Sequence, residues 1–274
     1  MSKFIISGFA DEISDNLSEQ LALLNELGIN YMEMRNVGGK GVISYTLDEV
    51  KEFKKQLDAA GVKVSAVGSP IGKIQITDDF EPHLELFKHT IEVAKILEAP
   101  YIRMFSFFYK EGQDPEQYTD EVLRRWEAFQ EVAKDSGIIL LHENEKQIYG
   151  DVAERCNTVL NACDKKLVRG IFDPANFVQC GVDTKKAFAL LRDNIVYMHI
   201  KDALMADGTV VPSGEGDGNV AYILNELAAA GYEGFLSLEP HLLTGDIAVC
   251  GAPMFKKAYT ALMNILKDIP AEIA

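Results

Sequence analysis

Short apolar or alternating runs recur along the chain at residues 4–9, 31–35, 63–67, 101–107, 138–143, 167–173, 195–199 and 235–239. Between them the apolar residues fall at helical spacing. Leu17, Leu21, Leu24 and Leu27 precede Gly28, and Val50, Phe53 and Leu57 precede Gly61. Val122, Trp126, Phe129 and Val132 precede Gly137, and Ile223, Leu227 and Ala230 precede Gly231. Leu84, Phe87, Ile91 and Ala94 mark a further helix, and residues 254–266 a final one. Glycine just past the last helical residue is the usual C-terminal cap. Here the next strand comes at once, so one helix-to-strand connector is used four times. Strand–helix alternation in which every crossover is a helix predicts a parallel sheet, and eight such units predict an α/β fold of the (β/α)8 TIM-barrel type. A doubly wound sheet would carry a glycine-rich dinucleotide fingerprint after its first strand, and none is present. With no composition break, linker or low-complexity run, residues 1–274 read as a single domain. The glycine-rich stretch 36–46 reads as a lid or rim element.

Charge narrows the partners. Forty-two acidic against 27 basic side chains give a net charge of -15. Duplex DNA and anionic membrane surfaces select the opposite sign, so neither nucleic acid nor membrane is an expected partner. No apolar run approaches the length of a membrane span, and the N-terminal apolar stretch is too short for a signal peptide. Cys156, Cys163, Cys180 and Cys250 form no CxxC pair and read as small apolar fillers in a reduced, cytoplasmic chain.

The chemistry-bearing residues sit at the C-terminal ends of the strands. Alternate strand residues share a face, so Glu33 with Arg35, Glu143 with Glu145, His199 with Lys201 and Glu239 with His241 each point the same way. A barrel carries its active site at this end. Ionised groups gathered there are costly unless they pair or bind a cation. Glu143, Asp173, His199 and Glu239, from four successive strands, therefore form a candidate ligand set for a divalent metal, against the alternative of separate rim or salt-bridge residues. Arg35 and Arg103 either bind a substrate phosphate or carboxylate or pair with Glu33 or another internal carboxylate. Asp11 and Glu12 read as caps of the first helix, and His83 and His89 as surface histidines. Phe9, Phe105, Phe107, Phe108 and Tyr109 cluster near the mouth as sugar-stacking or packing residues.

Five segments then carry a resemblance: HENE at 142–145, FDPANF at 172–177, MHIKD at 198–202, SGEGDGNV at 213–220 and SLEPH at 237–241. Together and in this order they resemble the sugar isomerase/epimerase superfamily with the xylose-isomerase-like barrel, over nearly the whole chain. The resemblance implies Glu143, Asp173, His199 and Glu239 as metal ligands, with manganese, zinc or magnesium as the ion. It implies Glu143 and Glu239 as the acid/base pair. Arg35, Arg103, Asn176 and Lys201 are the expected substrate contacts. Asn176 stands where the family frequently has histidine, which removes imidazole chemistry there. Lys201 and Asp202 either contact substrate or tie down a loop, and SGEGDGN reads as structural support in preference to a phosphate cradle.

The expected activity is that of a metal-dependent isomerase or epimerase of a sugar, ketose or inosose, acting through a cis-enediolate. The expected partner is a small carbohydrate, and homo-oligomers are common for such barrels. The competing readings are a metal-dependent lyase or dehydratase, including a C-glycoside-cleaving type, and a non-catalytic sugar-binding barrel. An endonuclease IV-like role needs a basic groove and a histidine-rich zinc site, and five histidines with a charge of -15 argue against it.

Overall fold

The computed structural model describes residues 2–274. Eight parallel strands carry the barrel: β1 Ser2–Gly8, β2 Tyr31–Met34, β3 Lys63–Val67, β4 Tyr101–Met104, β5 Ile139–Glu143, β6 Val168–Phe172, β7 Ile195–Ile200 and β8 Glu233–Leu238. The crossover helices are α1 Leu17–Glu26, α2 Leu47–Ala60, α3 Glu81–Leu97, α4 Thr119–Ala133, α5 Ala153–Ala162, α6 Pro174–Gln179, α7 Thr184–Leu191 and α8 Val220–Ala229. α9 Ile247–Leu266 and a last strand, β9 Ala271–Ile273, end the chain. The four glycines expected after helices, Gly28, Gly61, Gly137 and Gly231, all have φ between 71 and 78°, the left-handed conformation that glycine enters at least cost.

The hydrogen-bonded ladder runs β9-β1-β8-β7-β6-β5-β4-β3-β2. β1 and β2 pack side by side without a ladder between them, and β9 takes the free edge of β1 at Ser2–Phe4. A crossover expected as one helix, between β6 and β7, is two, because Gly181 at φ 70° turns the chain between α6 and α7. The strand expected over 101–107 leaves the wall at Met104. Beyond it, the Phe105 and Phe107 amides donate to Ile71 and Gly72 carbonyls, and Tyr149 N–H donates to Phe107, building a second backbone-bonded storey over the rim. Residues 36–46 form a rim element: a two-residue ribbon, Asn36–Val37 with Lys40–Gly41, and a short turn that brings Val42 and Ile43 to the mouth.

Two apolar layers result. The larger packs helices on the outer face of the wall, with Trp126, Phe129, Phe87 and Phe255 fully buried. The smaller is the barrel floor: Ala66, Leu141, Ile171, Tyr197 and Phe235, flanked by Ile5, Tyr31, Tyr101 and Ile139. Tyr31, Tyr101 and Tyr197 meet Phe235 with centroids 5.0–6.2 Å apart, a geometry that adds to simple burial. The pleat then dictates the next inward layer. Two residues beyond Tyr31, Tyr101, Leu141, Ile171 and Tyr197 come Glu33, Arg103, Glu143, Asp173 and His199. The floor is apolar and aromatic, and the layer above it is ionic.

The histidines and the first helix cap differ from expectation. His83 is buried, because its Nε2 accepts the Gly72 N–H at 2.7 Å under the rim storey. Burial first, then Arg125, pushes its pKa down to about 4. His89 is half-buried and its Nε2 donates to Tyr45 O at 3.0 Å. Helix α1 is capped by Asn16, whose Oδ1 accepts from Ser18 and Glu19 N–H, while Asp11 and Glu12 are buried in the mouth.

Candidate metal centre

Glu143, Asp173, His199 and Glu239 converge as the strand pattern requires. One ligand atom from each lies within 4.8 Å of all the others, and all four side chains are buried. His199 Nδ1 is 3.1 Å from Glu143 Oε1, 3.6 Å from Glu239 Oε2 and 3.7 Å from Asp173 Oδ2. The opposite ring nitrogen, Nε2, donates to Glu33 Oε2 at 3.1 Å, and the edge of the ring meets Phe9. A carboxylate behind a histidine fixes its orientation and raises its basicity as a ligand. In the sequence Glu33 reads only as a polar strand end; its signal is the two-residue step above Tyr31.

Each carboxylate is held by neighbours that leave an oxygen toward the cluster. Asp173 caps α6: its Oδ1 accepts Asn176 N–H at 2.9 Å, and Asn144 brackets its backbone on both sides. Its Oδ2 accepts no hydrogen bond, and neither does Glu143 Oε2. Lys201 Nζ donates to Glu239 Oε2 at 2.7 Å and stands 2.8 Å from Asp173 Oδ2 without hydrogen-bond alignment. Burial disfavours the ionised Glu239, yet Lys201 and then His241 hold its carboxyl well below the usual carboxylate range. Burial also disfavours a charged His199, but Glu143 and Glu33 outweigh it and lift the imidazole well above its ordinary pKa. Six buried carboxylates, Asp11, Glu12, Glu33, Glu143, Asp173 and Glu239, face three permanent cations, Arg35, Arg103 and Lys201, an excess of negative charge that protons or a cation would offset. The unpartnered oxygens, the mixed oxygen and nitrogen donors and the carboxylate behind the histidine all fit a divalent metal ion.

The other expected contacts divide. Arg35 and Arg103 line a cavity of about 260 Å3, together with Lys73, Glu143, Glu239 and His241. Arg35 does not meet Glu33. It donates to Asp11 Oδ2 at 2.7 Å, Glu239 Oε1 at 3.2 Å and Glu12 Oε1 at 3.4 Å, filling the second acidic cluster of Glu12, Glu239 and His241. Asn176 Nδ2 donates to Asn144 O and Glu143 Oε1, and Lys201 braces Asp173 and Glu239; neither lines the cavity. Phe9 and Phe105 flank the arginines. Phe107 packs away from the mouth among Phe80, Phe129 and Arg125, while Phe108 and Tyr109 line a separate outer cavity.

The glycine loop is bound from within. Asp202 is fully buried, and its carboxylate accepts N–H groups of Gly214, Gly216 and Gly218 as well as Ala203, at 2.8–3.2 Å. An internal carboxylate thus fills the nest that a phosphate would otherwise use. A larger open groove of about 960 Å3 along α4 and α5 gathers no ligand cluster and presents solvated charges such as Arg124, Glu127 and Lys134. Among the described residues no helix is long and apolar enough to cross a membrane. All four cysteines are free, and burial pushes the Cys163 thiol up to about 12.

Parallel strands ringed by helices, with a carboxylate–histidine cluster at their C-terminal ends that could hold a metal ion, define a TIM-barrel protein. The model of the xylose isomerase-like TIM barrel family matches residues 21–249, and the chain belongs to that family. No curated protein matches the sequence. Among solved structures, an IOLI protein with a bound zinc atom is similar at TM-score 0.78 and 17% identity, over 97% of this chain and 98% of that one. The probable 3-DHS dehydratase AsbF from Bacillus anthracis gives 0.75 and 17%, over 96% and 99%. A D-tagatose 3-epimerase-like protein gives 0.73 and 18%, over 98% and 99%. At these identities the likeness is one of fold.

Proposed function

We propose that the protein is a divalent-metal-dependent isomerase or epimerase of a sugar, ketose or inosose. Glu143, Asp173, His199 and Glu239 would hold the ion. One observation carries the reading: of the four clustered side chains, Glu143 and Glu239 are the two that also line the cavity. They alone can reach both the ion and a bound substrate. The cavity, at about 260 Å3, lies below the roughly 300–1,000 Å3 range of pockets for drug-sized ligands and suits a single sugar.

A carbon-bound proton beside a carbonyl is weakly acidic, and its removal leaves an enediolate whose charge needs stabilising. When bound, a divalent ion supplies Lewis-acid polarisation of the carbonyl and neighbouring hydroxyl oxygens. The chain does the rest. Glu239, kept ionised by Lys201 and His241, takes the proton, and Glu143 on the facing strand delivers one. Arg103, beside Glu143, and Arg35, beside Glu239, hold the two carboxyl groups in place. The packed aromatic floor closes the barrel beneath the pair.

The test is incubation of metal-reconstituted protein with ketoses and inososes in D2O, read by NMR. Deuterium incorporated at carbon 3 with inversion supports epimerisation, and solvent deuterium incorporated at carbon 1 or 2 with interconversion of ketose and aldose supports isomerisation. An unsaturated product instead assigns elimination from the same intermediate. Metal-loaded protein that labels no member of the panel counts against the reading.

A further inference from the structure

Arg103 carries more positive charge than its surroundings use. The residue is only 5% exposed, beside the faces of Phe9 and Phe105 at 5.1 and 5.0 Å. One guanidinium nitrogen, Nη2, donates to the carbonyls of Gly68 and Ser69, which fixes the plane of the group. Nε is buried and donates to nothing; Glu143 Oε2, the nearest anion at 3.4 Å, is out of hydrogen-bond alignment and is itself unpartnered. The other cations of the cavity wall are committed. Arg35 gives three nitrogens to three carboxylates, and Lys73 is paired with Glu145 at 3.0 Å. If Glu143 ligates an ion, its charge is shared with that ion, and Arg103 is left as a buried guanidinium without an anion. Such a group is costly unless a ligand supplies one.

We infer that Arg103 receives a carboxylate of the substrate, so that the sugar acted on is an acid, a uronate or keto-aldonate of single-sugar size. With Nη2 committed to backbone carbonyls and Nε buried against Glu143, Nη1 is the donor left for a carboxylate, which it would bind through a charge-assisted bond. Phosphate shares the anionic chemistry, and titration separates the two. The inference rests on the proposed function only in placing the reacting carbons at Glu143 and Glu239.

The experiment is calorimetric titration of the manganese-loaded protein with D-glucuronate, D-glucose and D-glucose 6-phosphate. Glucuronate is expected to bind at least tenfold more tightly than glucose, and Arg103→Gln to abolish that difference while metal stoichiometry is unchanged. Arg103→Lys, which keeps the charge and loses the planar fork, is expected to restore part of it. Equal binding of acid and neutral sugar by the wild-type protein overturns the inference, as does a preference that survives Arg103→Gln. Tighter binding of the phosphate than of the uronate overturns the carboxylate assignment. In each case retained metal and solvent exchange into a neutral ketose would leave the proposed function standing, whereas loss of both would remove that function itself.

Discussion

Asp202→Ala tests the internal filling of the glycine loop without involving substrate or metal. The carboxylate accepts four backbone N–H groups, and those of Ala203 and Gly218 are buried with it. Hydrogen bonds to a charged group contribute about 1.5–3 kcal/mol each when the partner is left without a substitute. The Gly214 and Gly216 amides lie where water can reach them, so only the two buried bonds count in full. The expected loss is therefore about 3 kcal/mol, the lower end of that range summed over two bonds. For a chain of this size that corresponds to a fall in Tm of about 6–12 °C, measured by scanning calorimetry. Asp202→Asn retains one acceptor oxygen and should fall about half as far. Limited proteolysis should open the loop at 213–219 in the alanine variant first. A Tm change below about 2 °C for Asp202→Ala would refute the reasoning, because it would mean that the glycine amides are solvated in the native protein.

The remaining predictions concern the same framework. Gly216→Ala places a Cβ 2.4 Å from Asp202 Oδ1 and 2.6 Å from Ala203 O, so it should destabilise the fold in parallel with Asp202→Ala; an unchanged melting curve would contradict the packing. Glu33→Gln removes the carboxylate behind His199 and should weaken metal binding about 10- to 100-fold, read by calorimetric titration with manganese; unchanged affinity would remove Glu33 from that role. His83 has a native pKa near 4 against an ordinary value of 6.5, so the unfolded chain takes up the proton first. Stability should fall as pH drops from about 6.5 to 4, and His83→Gln should flatten that part of the curve in denaturant titrations; an identical pH dependence would exclude His83 as the source.

The alternation of strands and helices was legible because apolar periodicity and the glycine after each helix are local signals. The ligand cluster was legible because the pleat forces every second residue inward: Glu143 above Leu141, Asp173 above Ile171 and His199 above Tyr197 follow from strand assignment alone. Partnership between strands distant in the chain was not legible. That Arg35 would choose Asp11, Glu12 and Glu239 over Glu33 depends on how β1, β2 and β8 meet at the seam of the barrel. The internal partners of Lys201 and Asn176, namely Asp173, Glu239 and Glu143, were not legible for the same reason. His83 reads as exposed because its partner is a backbone amide on a rim loop, which no side-chain pattern records.

Proton transfer by Glu143 and Glu239 is the central claim, and solvent exchange measures it directly. Wild-type, Glu143→Gln and Glu239→Gln proteins, each reconstituted with manganese and checked for fold by circular dichroism, would be incubated in D2O with a substrate that the wild-type protein labels. The expected result is deuterium at the carbon beside the carbonyl with the wild-type protein, and exchange slowed about 100- to 10,000-fold in each variant, the span of a positioned acid or base. Exchange at the wild-type rate in both variants would contradict the two-glutamate site.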